Sequence, residues 1–173
     1  MHRIFLKLFF LSFFIYGCAV KVKPPNEIRL HKLAKILQSM STTISSKEAN
    51  KLAKDIFQKT QSLARDFKMT YPPQYNNFLV NIGFKKKGLC YHWADDLYVY
   101  FKQKTYPSFE FHLIGANIGK YWTEHNAMAI TAKGMTVHSG VVTDPWRNSG
   151  NLYFSKIKSD SKYIWKHRPK REY

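Results

Sequence analysis

Cysteine is nearly absent: Cys18 and Cys90 are the only two in 173 residues. Two are too few for a disulfide framework. The HExxH and CxxC spacings of zinc sites are also missing. His92, His112, His125 and His138 read as scattered side chains, so no metal and no other cofactor is expected. Acidic residues are scarce: 11 Asp and Glu stand against 28 Lys and Arg, a formal charge of +17. Such a balance favours anionic partners, phospholipid headgroups or acidic wall polymers among them. No nucleic-acid-binding module accompanies the charge, so nucleic acid is not an expected partner. Apart from Lys85-Lys86-Lys87 and the carboxyl-terminal tail the basic residues are dispersed, as on a solvated surface. Long apolar runs are lacking as well. Leu8 to Tyr16, interrupted by Ser12, falls short of the ~20 residues that a spanning helix needs. Neither an internal repeat nor a low-complexity segment is seen beyond the basic ends.

What the chain does have at its start is ordered. Arg3 and Lys7 precede the short apolar run, and Gly17-Cys18 closes it, which is the layout of a secretory signal peptide. Ile15-Tyr16-Gly17-Cys18 resembles the lipobox of bacterial lipoproteins, although Tyr16 is bulkier than the usual residue there. The resemblance implies a diacylglyceryl thioether on Cys18, cleavage before it and acylation of the new amino terminus. Several acyl chains would hold a membrane stably where one would not. The expected organisation is a signal peptide over 1–17 and a lipidated tether over 18–26 containing Pro24-Pro25. A single domain with a basic tail then covers 27–173. The expected location is the cell envelope, anchored to a membrane and facing the periplasm or exterior. An uncleaved, membrane-inserted amino terminus is the alternative.

Helical periodicity comes first in the domain. Ile28, Leu30, Leu33, Ile36 and Leu37 form an imperfect stripe over 27–40. Ala49, Leu52, Ala53, Ile56, Phe57, Thr60, Leu63, Ala64 and Phe67 form a clearer one. Ser45 and Glu48 make a capping box for the second helix, and Tyr71-Pro72-Pro73 is its expected stop. A loop containing Asn76, Asn77 and Asn81 leads to Gly83 and Gly88, which bracket the three lysines. Cys90, Ala94, Leu97, Tyr98 and Phe101 then share one helical face, with Cys90 in the first turn. From Phe109 the pattern alternates as in strands. His125 to Ala132 and Met135 to Thr143 are β-prone, joined by a tight turn at Lys133-Gly134. Helices followed by an antiparallel sheet indicate an α+β domain.

Once Cys18 is lipidated, Cys90 is the one remaining thiol, in a compartment where disulfides form. It is then either a buried, inert residue or one kept for reactivity. Its position at a helix start favours reactivity, because the partial positive charge there stabilises a thiolate. His125 at a strand start and Asp144 at the end of the next strand complete a nucleophile, a base and an acid that orients the base. His138 is an alternative base. The backbone N–H of Cys90 would serve an oxyanion, with Asn77 or Asn81 as further donors.

Gly88-Leu89-Cys90-Tyr91-His92-Trp93-Ala94 resembles the cysteine motif of the transglutaminase-like superfamily, within the wider papain-like group. His125-Asn126-Ala127 and Asp144-Pro145 resemble its histidine and aspartate motifs, in the same order. The resemblance spans Gly88 to Trp146, and implies nucleophile Cys90, base His125 and orienting Asp144. It also implies an α+β fold with the nucleophile at the start of a helix packed on an antiparallel sheet. No aromatic residue follows His125, and Trp146 stands where a small polar residue is commoner. Trp93, Trp146 and Asn81 are the candidate substrate-binding residues, and Trp122 is a further aromatic near the site. The expected function is a lipid-anchored thiol hydrolase of amide bonds, a peptidase or amidase acting on peptide or protein substrates such as cell-wall peptides. A non-catalytic lipoprotein that uses the same fold for binding or scaffolding is the rival reading.

Overall fold

Two side-chain caps open the helical part. In the computed structural model, which describes Val20 and residues 24–168, Asn26 accepts from the backbone N–H of Ile28 at 2.8 Å and caps helix α1, Glu27–Gln38. Ser45 accepts from Glu48 N–H at 3.2 Å and caps α2, Ser46–Asp66. The expected box is only half made, because the Glu48 carboxylate accepts from the backbone of Ser108 instead, at 3.1 Å. The α2 stripe is buried from Ala49 to Ala64 as its periodicity requires. The helix ends at Asp66, before the prolines, and the chain turns at Lys68 with φ +49°. The signal segment, Cys18 and the tail over 169–173 lie outside the described residues.

The segment expected to be an asparagine-bearing loop is a helix, α3, Pro73–Asn81. Proline at its first turn needs no N–H acceptor, and Pro73, Asn76 and Leu79 bury one side. Helix α4, Cys90–Lys102, begins at the cysteine itself and buries Trp93, Ala94, Leu97 and Phe101. Among the described residues no helix is long and apolar enough to cross a membrane.

The sheet is antiparallel and five-stranded. Its strands are β1 Phe109–Ala116, β2 His125–Ala132, β3 Val141–Asp144, β4 Tyr153–Lys156 and β5 Lys166–His167, in the order β4-β3-β2-β1-β5. The domain is therefore α+β. The link from β2 to β3 is not the expected tight hairpin. It contains a 3-10 turn, Val137–Ser139, and β3 starts only at Val141. Val137 is buried there, and a Cβ on Gly140 would stand 2.5 Å from the carbonyl oxygen of Ile130.

Alternation along β2 and β3 divides the sheet into two faces. Met128, Ile130 and Val141 join Leu52, Ile56, Trp93, Leu97 and Phe101 in the larger core, beneath α2 and α4. Ala127, Ala129 and Val142 turn the other way, onto Ile157 and Trp165. By the same alternation His125 and Asp144 belong to this second face, and Asn126 to the face that α4 covers.

Candidate active site

Gly88 fixes how the chain enters α4. Its φ is +129°, and a Cβ there would lie 2.1 Å from the side-chain nitrogen of Asn76, so only glycine fits. Asn76 is fully buried and accepts from Lys85 Nζ at 2.8 Å and Thr70 Oγ1 at 3.3 Å. His92, one turn into the helix, accepts through Nδ1 from the backbone N–H groups of Gly88 and Leu89, both at 3.2 Å. These contacts present Cys90, half-buried, as the first residue of the helix.

His125 opens β2 at the end of the sheet, so it reaches Cys90 although its face is the one opposite α4. Its Nε2 lies 2.7 Å from Asp144 Oδ2, with His125 2% and Asp144 1% exposed. That contact commits Nε2 to the acid, and Cys90 is close enough to the ring to favour its charged form. Burial disfavours the charged ring, but the bond to Asp144 and the nearby Cys90 outweigh it and raise the His125 pKa to about 9. The ring is packed by Tyr163 at 4.6 Å, Trp146 at 4.8 Å and Trp165 at 5.6 Å between centroids.

Asp144 is itself held from behind. Arg147 donates to it from its backbone N–H at 3.2 Å and from Nε at 3.1 Å. The same guanidinium grips Asp160 with both terminal nitrogens, at 3.1 and 2.7 Å, and Trp165 Nε1 donates to Asp160 at 2.8 Å. Burial alone would raise the Asp160 pKa, but these donors and the Lys162 N–H lower it, and it stays ionised. Arg147, Asp160, Tyr163 and Trp165 escaped the sequence reading. The Asp144-to-Arg147 spacing was the available signal, but an Arg three residues after an acid is common on any surface.

The structure thus brings Cys90, His125 and Asp144 together, and sorts the other candidates. Trp146 is at the site, 9% exposed, with its Nε1 donating to Asn77 Oδ1 at 2.9 Å. Trp93 is not a cleft residue: it is 1% exposed, edge-on to Phe67 at 4.8 Å, because its helical position faces the core. Asn81 lies exposed at the end of α3. Neither it nor Asn77 supplies the amide nearest the sulfur. That amide is Asn126 Nδ2, 4.0 Å from Cys90 Sγ and 3.3 Å from Glu124 Oε1. Arg168 Nη1 donates to Asn126 Oδ1 at 3.3 Å, which keeps the NH2 turned toward Cys90.

His138 is exposed in the 3-10 turn and is not on a strand, so it is not beside Cys90. His112 instead meets Thr131 at 3.0 Å on the β1–β2 pair. The lysine cluster is not a uniform solvated patch either. Lys85 turns inward, where burial lowers its pKa, and Lys87 pairs with Asp96 at 2.8 Å. No protein-family model, curated protein or solved structure matches the chain.

Proposed function

We propose that the chain is a lipid-anchored thiol hydrolase of the cell envelope, cleaving amide bonds with Cys90, His125 and Asp144 in a transglutaminase-like arrangement. The observation that carries this reading is the buried His125, bonded to Asp144 at 2.7 Å and close enough to Cys90 for the sulfur to favour its charged form. A core histidine needs no such pair of partners, whereas a base that activates sulfur needs both.

In this reaction the proton of the Cys90 thiol is held by His125 as an imidazolium, and the thiolate attacks the amide carbonyl. A C–S bond forms and the carbonyl becomes an oxyanion. The Cys90 N–H has no acceptor within the helix at this first position, and Asn126 Nδ2 lies alongside. His125 then protonates the leaving nitrogen, the C–N bond breaks and a thioester remains. Water, deprotonated by His125, attacks the thioester and releases a carboxylic acid and the thiol. Asp144 holds the ring through Nε2 throughout. The substrates that fit the location are peptide stems of the cell wall and envelope proteins.

The test is labelling of the full chain with an electrophilic amide-mimicking probe, followed by mapping of the modified residue. The label is expected on Cys90, at a rate well above that of a free thiol. His125→Ala removes most of that rate in a variant that keeps its melting profile. A folded wild type that reacts like a free thiol, with no change in His125→Ala, overturns the proposal in favour of a binding or scaffolding module.

A further inference from the structure

Three of the four tryptophans are buried, Trp93, Trp146 and Trp165 at 1%, 9% and 2% exposure, whereas Trp122 is 89% exposed. Beside it Tyr121 is 87% exposed, the two rings meeting edge to face at 4.9 Å. Burying large aromatic side chains is favourable, so two left in water side by side are a cost that a loose loop would avoid by folding them back.

The loop that carries them is not loose. It joins β1 to β2, immediately before His125. Lys120 N–H donates to Asn117 O at 3.0 Å, Thr123 N–H and Glu124 N–H to Lys120 O at 3.0 and 2.8 Å. Asn117, at φ +52°, donates from its side chain to Thr123 O at 3.1 Å, and Glu124 Oε2 accepts from Gly119 N–H at 2.8 Å. Glu124 is in turn ion-paired with Arg168 of the carboxyl-terminal segment. Backbone and side-chain bonds together hold the two aromatic residues outward.

Their surroundings are apolar and basic. Ile118 in the loop is 44% exposed and Ile164, ahead of β5, is 86% exposed. Lys120 and Lys166 are exposed, Lys166 being paired with Gly115 near the base of the loop. The acid of the loop, Glu124, is neutralised by Arg168.

We propose that this loop docks the molecule directly on a bilayer containing anionic phospholipid, with Tyr121 and Trp122 in the headgroup region and the flanking lysines on phosphate. Tyr and Trp are the side chains that settle at that depth, and each nearby Lys or Arg adds attraction to an anionic surface. This charge complementarity, in a chain of formal charge +17, selects a membrane over a protein partner. The contact is additional to any lipid on Cys18 and does not rest on the thiol-hydrolase reading.

Trp122 is its own reporter. The full chain is added to vesicles of phosphatidylcholine and phosphatidylglycerol with brominated acyl chains, and tryptophan emission is followed. Docking predicts a blue shift and quenching that are lost in Trp122→Phe and reduced in salt or with phosphatidylcholine alone. Emission that stays water-like and unquenched while the chain sediments with the vesicles overturns the proposal. So does a blue shift that grows with protein concentration in the absence of vesicles, which would assign the loop to a second copy of the chain.

Discussion

On one face of the sheet Met128, Ile130 and Val141 lie beneath Trp93, Leu97 and Phe101 of α4. On the other, Ala127, Ala129 and Val142 meet Trp165 and Ile157, and the same side carries His125, Asp144, Arg147 and Asp160. The first face is held by area, through large buried apolar side chains. The second is held by charges that compensate one another, each buried acid bonded to a cation. The candidate site lies at the end of the sheet where the two meet. One face contributes Cys90 and the Asn126 amide, and the other contributes the base and its acid. A rigid apolar face fixes where the sulfur is, and an ionic face fixes what protonation state its neighbour has.

Asp144→Ala is the largest expected break. It leaves Arg147 and the His125 imidazolium buried without their shared acid, for a cost of about 3–5 kcal/mol. Thermal melting measures it, and a loss below about 1 kcal/mol would mean that the charges do not support one another. On the apolar face Leu97→Ala, at a fully buried position, is expected to cost about 2–5 kcal/mol. That loss should be the same at pH 6 and pH 10, since no titrating group is touched.

A titration sharpens the contrast. The His125 pKa is raised from 6.5 to about 9 on folding. Its charged form therefore contributes stability that is fully present below about pH 6.5 and is lost as pH rises through about 9. Urea unfolding of wild type and His125→Gln should differ more at pH 6 than at pH 10, by on the order of 3 kcal/mol. A difference that does not change with pH contradicts a charged histidine. Gly88→Ala is smaller, about 1–3 kcal/mol from strained backbone and the displaced Asn76. Since Asn76 supports the entry to α4, this variant should also slow Cys90 alkylation, which an apolar-core variant of equal stability should not. Trp122→Ser is the smallest, within about 0.5 kcal/mol in melting, because its ring is in water.

The legible parts of the sequence share one property, that the signal is local. The α2 stripe, the Ser45 cap, the span His125–Ala132 and Cys90 at a helix start each follow from residues within a few turns or one strand. The failures involve partners outside the segment being read. Residues 73–81 read as a loop because their asparagines are turn formers, but Asn76 has a partner in Lys85 and Asn77 in Trp146. Glu48 read as the second half of a cap and went to Ser108.

Residue type and order were enough to nominate a thiol, an imidazole and a carboxylate, because a nucleophile, a base and an orienting acid are chemical kinds that a sequence displays. Periodicity likewise determined that helices precede strands, which residues of α2 face inward, and that Ala94, Leu97 and Phe101 of α4 do. Only the tertiary structure decided that His125 turns Nε2 to Asp144, that Arg147 and Asp160 stand behind the acid, and that Asn126 rather than Asn77 or Asn81 brings an amide to the sulfur. It also decided that Trp93 belongs to the core while Trp122 stands in water. The physical reason is that burial and hydrogen-bond partnership depend on distances between residues remote in sequence, and alternation tells which face a residue takes but not what waits there.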